Sequence, residues 1–145
     1  MALFDSFFER NRSGRGIFSF DIITLNESGM RYKTEYEIVS KDEKAEVSQY
    51  GIRFIDHEDR RILEKQSICS ADDILELLNK CCILSWDGFV GAHPKGVKDG
   101  IMFSLNAVVN RDKKIHANGS QNFPKHYRDF TDGLYNILNA QKTDL

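Results

Sequence analysis

GSQNFPKHYRDFTDGLYNIL, residues 119–138, joins a glycine–serine stop and a Phe-Pro step to a single apolar stripe. Tyr127, Phe130, Leu134, Ile137 and Leu138 recur at steps of three and four, the period of a helix face turned toward a core. Lys125, Arg128, Asp129, Asp132 and Asn136 fall on the other faces. Pro124 suits a first helical turn, where a missing N–H loses no hydrogen bond, and Asn122 is placed to cap it. Gly133 interrupts the helix at a cost of about 1 kcal/mol relative to alanine. A close crossing with another element would offset that cost.

Upstream, the period changes from 3.6 to 2. Met30 to Val39 alternates Tyr32, Thr34, Tyr36 and Ile38 with Arg31, Lys33, Glu35 and Glu37, which predicts an antiparallel strand with one buried and one wet face. Ile17 to Leu25 is expected as the strand before it, with Phe18, Phe20 and Ile22 inward and a turn at Asn26–Gly29. Ala45 to Phe54 is expected as a third strand. There Ala45 and Val47 give way to Tyr50, Ile52 and Phe54, a change of parity that predicts a bulge near Ser48–Gln49. Asp56 to Arg60 reads as a charged loop and Arg61 to Ile68 as a short edge strand.

Ser70 opens a second helix, with Asp72 and Asp73 at its positive end and Ile74, Leu77, Leu78 and Cys81 as its stripe. Ile83 to Trp86 is expected to re-enter the sheet. Asp87 to Gly100, DGFVGAHPKGVKDG, is a glycine-rich loop. Ile101 to Val109 and Lys113 to Asn118 form a last hairpin, closed at Gly119 and Ser120. Hairpins with helices inserted between them predict an α+β domain. It has a mostly antiparallel sheet of about six strands and two main helices on one face.

With 145 residues, the chain is expected to form a single domain (1–145) with a real core. Residues 1–16 make an N-terminal segment whose Leu3, Phe4, Phe7 and Phe8 would dock as a short helix. Acidic residues interrupt this segment, which does not read as a secretory signal. A net charge of −2 with mixed signs argues against a nucleic-acid partner. No apolar run approaches the roughly 20 residues that cross a bilayer, so no membrane partner is expected. Three cysteines, two of them adjacent, read as reduced thiols in a cytoplasmic protein.

Five residues stand out as candidates for binding: Trp86, Asp87, Phe89, His93 and Ser120. Trp86 and Phe89 would give aromatic rim and Asp87 a polar contact; equally, the aromatics would close the core and Asp87-Gly88 would turn the chain. His93, with Lys95 and Lys98, is placed to gather an anion, although the glycines lack the strand–loop–helix setting of a phosphate cradle. Ser120 pairs by chain position with His126. None of these makes a catalytic constellation, the four histidines show no metal-ligand spacing, and no cofactor motif is present.

The series W-D-G-F (Trp86 to Phe89), D-G-x-x-F-x-L (Asp99 to Leu105) and G-S-x-x-F-P-x-x-Y-x-x-F (Gly119 to Phe130) resembles a group of small uncharacterised bacterial proteins. It spans about residues 83 to 138. The resemblance implies a bacterial, intracellular setting and carries over no catalytic residue.

These residues point to a non-enzymatic binding or protein-interaction module, with another protein or a second copy, joined through a sheet edge, as partner. The alternative is a small enzyme or small-ligand binder with a pocket under the 87–100 loop. The two differ in whether Asp87, His93 and Ser120 converge on one concave site.

Overall fold

The computed structural model describes residues 16–140; the expected N-terminal docking helix lies outside the described residues. In chain order the elements are β1 (Phe20–Gly29), β2 (Tyr32–Lys41), β3 (Lys44–Ile55), β4 (Glu58–Ser70) and α1 (Ala71–Lys80). A 3₁₀ turn (Ile83–Trp86), β5 (Val90–Gly91), β6 (Met102–Val109), β7 (Lys113–Ser120) and α2 (Tyr127–Ala140) follow. Seven strands form one sheet in the order β4-β3-β2-β1-β6-β7-β5. Every pair is antiparallel except β5 on β7. The seventh strand is β5, two residues inside the glycine-rich loop.

One face of the sheet and both helices share a single core. Ile23 and Leu25 of β1, Ile38 of β2, Val47 of β3, and Phe103, Leu105 and Ala107 of β6 are buried together with Ile74 and Leu78 of α1 and Phe130 and Leu134 of α2. Ser70 caps α1 as its sequence predicts, its hydroxyl accepting from the Asp72 N–H at 3.1 Å. Leu77 of α1 covers Gly133 of α2, which is the close crossing that glycine permits.

Several boundaries differ from the sequence expectation, each for a local reason. In β1 the pairing with β6 slips between Phe20 and Ile22, so Asp21 is an extra residue. The inward side thus passes from Phe20 to Ile23 and Leu25, leaving Phe18 (42% exposed) and Ile22 (37%) outside. Asn26 to Gly29 is strand, and the turn falls at Met30–Arg31.

The predicted bulge near Ser48–Gln49 lies across the ladder. Gln49 faces Lys65 and Tyr50 faces Leu63, so the extra residue is Glu64 of β4. Because β3 stays in register with β2, Tyr50, Ile52 and Phe54 belong to the face away from the helices. The charged loop is a two-residue turn, Asp56 and His57 both holding positive φ (53° and 66°), the left-handed pair that a tight hairpin needs. Hence β4 runs for 13 residues instead of a short stretch.

Ile83 to Trp86 is a 3₁₀ turn and does not re-enter the sheet. Ser120 belongs to β7. The last helix begins at Tyr127, after Pro124, with His126 (φ 70°) as the residue before it. The Asn122 side chain turns away from the helix and donates to the Ala92 carbonyl at 3.2 Å. Its own carbonyl passes so close to Gly91 and Gly119 that a Cβ at either position would strike it, which ties both glycines to this crossing.

Candidate functional site

Helices cover one face of the sheet; the other is bare among the described residues. Parity places on it an aligned set of cross-strand rows. One runs Asn118–Ser104–Asn26–Glu35–Tyr50–Leu63 through β7, β6, β1, β2, β3 and β4. The next, one pleat along, runs His116–Asn106–Thr24–Glu37–Ser48–Gln66. Neighbours in a row stand about 4.8 Å apart.

The two halves of this face differ in charge. On β2, β3 and β4, Arg61 donates to Glu35 at 2.8 Å and to Glu37 at 3.1 Å while its guanidinium lies 3.5 Å from the centre of the Tyr50 ring. Lys33 reaches Asp59 at 3.9 Å, and Gln66 donates to the Ser48 hydroxyl at 2.9 Å. This half is knitted to itself. Its exposed ion pairs contribute at most about 1 kcal/mol each.

The half on β1, β6 and β7 carries mainly neutral amides and hydroxyls, with Lys114 at one end. His116 Nδ1 and Asn106 Oδ1 meet at 2.6 Å and Asn118 approaches His116 Nε2 at 3.3 Å. Asn26, Ser28 and Ser104 have no side-chain hydrogen-bond partner among the described residues. All three line a hollow of about 580 Å³ that draws on β1, β2, β3, β5, β6 and β7. A second hollow of about 250 Å³, lined by Ile22, Thr24, Asn106 and His116, continues along the same strands. Met102 (56% exposed) and Val90 (74%) add apolar surface beside the amide row.

Of the five residues singled out from sequence, two meet at the rim of the larger hollow. His93 Nδ1 lies 2.7 Å from the Ser120 hydroxyl, and its Nε2 contacts the Val97 carbonyl. With Nε2 donating to that carbonyl, Nδ1 is left as the acceptor for the serine proton. Ser120 therefore pairs with His93; His126 is held by Asp129 at 3.0 Å.

The other three do not reach this site. Trp86 is a core residue: its indole N–H donates to the Lys125 carbonyl at 3.2 Å and its ring stacks on Tyr127 at 5.9 Å. Phe89 is half-buried against Phe103, 6.1 Å between ring centres. Asp87 anchors the loop to β7, accepting from the His116 N–H at 3.0 Å and from the Lys113 ammonium at 3.1 Å. Those two contacts, the backbone one first, hold its carboxyl below the usual carboxylate range.

The amides of the bare face escaped the sequence reading. A signal existed, since asparagine is depleted in strand interiors and Asn26, Asn106 and Asn118 all lie within strands. Asn26 was hidden by its neighbours, Glu27-Ser-Gly29, which read as a turn. Among the described residues no cluster of three His, Cys, Asp or Glu is placed to hold a metal, and no helix is long and apolar enough to cross a membrane. Compared with known families, curated proteins and solved structures, the chain matches none.

Proposed function

We propose that this protein is a non-enzymatic binding module that lays an uncharged, extended segment of a partner polypeptide along the amide-bearing half of its bare sheet face. The observation that carries this reading is the row Asn118–Ser104–Asn26, whose hydrogen-bonding groups open onto a trough two hollows long. Side-chain amides and hydroxyls match the donors and acceptors of a peptide backbone, and Met102 supplies an adaptable apolar contact. The mixed charges of the other half offer no basic surface to a phosphate backbone.

Both sheet edges favour the face over edge pairing. Outer strand β4 carries Glu58, Asp59, Arg60, Arg61, Glu64 and Lys65 and a bulge, and outer strand β5 is two residues long; both are devices that oppose strand addition. The free thiols of Cys69, Cys81 and Cys82 fit a reducing compartment. With the resemblance noted above, they support a bacterial cytoplasm as the setting of this reading.

Selection from a displayed random-peptide library, followed by NMR shift mapping, tests this. Selected peptides are expected to shift Asn26, Met102, Ser104 and Asn118, and Met102→Asp or Asn118→Asp should weaken them about tenfold. Shifts confined to other surfaces would remove the reading.

The contact between His93 and Ser120 favours a second reading, acyl transfer with Ser120 as nucleophile and His93 as base. The two readings part on a fluorophosphonate probe. Labelling of Ser120 that His93→Ala abolishes would establish the enzyme; an unlabelled Ser120 leaves the binding module.

A further inference from the structure

On the helix side of the sheet, where α2 begins, a cavity of about 650 Å³ opens between that helix and β1–β2. Tyr36, Phe123, Tyr127 and Tyr135 give it aromatic walls, and Glu27 lines it from the sheet. Glu27 is half-buried and belongs to no ion pair among the described residues. Its carboxylate is held instead by two hydroxyls, Tyr127 at 2.6 Å and Tyr32 at 3.2 Å. The other carboxylates at the cavity have partners of their own: Asp129 meets the His126 ring at 3.0 Å, and Asp132 lies 4.0 Å from Arg128. Lys65, 5.2 Å from the centre of the Tyr135 ring, is held by Asn139 at 3.1 Å.

We infer that this cavity is a binding site for a small organic ammonium ion, with Glu27 as its counter-charge and Tyr36, Phe123 and Tyr127 as its aromatic walls. A half-buried carboxylate that only neutral hydroxyls satisfy keeps most of its charge, and each oxygen retains a lone pair beyond the tyrosine it accepts from. Aromatic faces attract a cation through their quadrupole and need no water to do so. A compact, weakly hydrated ammonium group uses both features; a metal ion would demand more oxygen ligands than Glu27 supplies. Burial first, and then Glu27, push the Tyr36 and Tyr127 hydroxyls above the ordinary phenol range, so both stay protonated and add no charge beside Glu27. This site lies on the helix side of the sheet, and of its lining residues Glu27 alone also borders the larger hollow of the bare face.

Choline is the probe, and its neutral isostere 3,3-dimethylbutan-1-ol is the control, each titrated into the full chain at fixed ionic strength. The single tryptophan, Trp86, stacks on Tyr127 and reports occupancy by fluorescence, while NMR shifts locate it. Choline is expected to shift Glu27, Tyr36 and Tyr127 and to bind about tenfold more tightly than the alcohol. Glu27→Gln should weaken choline about tenfold. Since Glu27→Gln also alters a tyrosine contact, Tyr36→Leu and Tyr36→Phe form the second pair: the first loses choline and the second, which keeps the ring, retains it. Equal binding of choline and alcohol, choline shifts elsewhere, or unchanged affinity in both Glu27→Gln and Tyr36→Leu would overturn the site.

Discussion

Leu77 and Gly133 meet where the two helices cross, and a Cβ at position 133 would lie 2.5 Å from Leu77 Cδ1 and 3.3 Å from its Cγ. The crossing distance is therefore set by an absent methyl group. Turning the leucine about its Cβ–Cγ bond moves its Cδ atoms but leaves its Cγ in place.

Gly133→Ala gains about 1 kcal/mol of helix propensity and loses more to the clash, since overpacking costs about 1–3 kcal/mol. The net expectation is a loss of about 1 kcal/mol in urea unfolding. In a Leu77→Ala background the clash is gone and the same substitution should stabilise. A Gly133→Ala effect of equal sign in both backgrounds would refute the assignment.

Trp86 is the hub of the aromatic cluster, stacked on Tyr127 and edge-on to Phe130 at 5.7 Å. Trp86→Ala should cost about 3–5 kcal/mol, as for other large buried aromatics. Its effect on any ligand should vanish once the folded fraction is taken into account. Thermal melts of the variant and the parent check this.

Asp87 contributes to stability in a pH-dependent way whose sign follows from its contacts. Its folded carboxyl is depressed by the His116 N–H and then by Lys113, so its contribution is present above the ordinary carboxylate pKa of about 3.9 and is lost as pH falls through the lower folded value. Asp87→Asn keeps an oxygen for the His116 N–H and removes the charge. Below about pH 4 the variant's unfolding midpoint in urea should fall less steeply than the parent's. Parallel curves would deny Asp87 this role.

The three thiols should separate by reactivity. Burial pushes Cys69 and Cys81 up to about 11, while Cys82 is exposed at the left-handed bend after α1. At pH 8, iodoacetamide should modify Cys82 first and leave the other two until the chain unfolds. Peptide mapping by mass spectrometry reads the order, and early loss of Cys69 or Cys81 would contradict it.

Periodicity made the helices and most strands legible, because Ile74, Leu78, Phe130 and Leu134 each repeat a pattern that only one element can bury. What it could not convey was pairing. The extra residue at Asp21 reverses which side of β1 faces inward, and a reader who alternates from Phe18 arrives at Ile22 where the core takes Ile23. The bulge visible as a parity change in β3 sits on its partner, because a ladder slips in either strand with the same local signature. Tight turns made by Asp56 and His57 lack the glycine that normally announces them. The site was harder still: Ser120 and His93 stand 27 residues apart, and their contact depends on β5 running beside β7.

The order in which the strands are joined has a consequence for a nascent chain. β1 to β4 fold back on one another in sequence, each hairpin closed by a short turn, and can assemble as soon as β4 has left the exit tunnel. The other side of β1 belongs to β6, whose first residue follows more than seventy positions later. Until that strand leaves the exit tunnel, a half-built curtain hangs with an unpaired, greasy border at what becomes its centre, and this is the interval in which neighbouring polysome products can stick together.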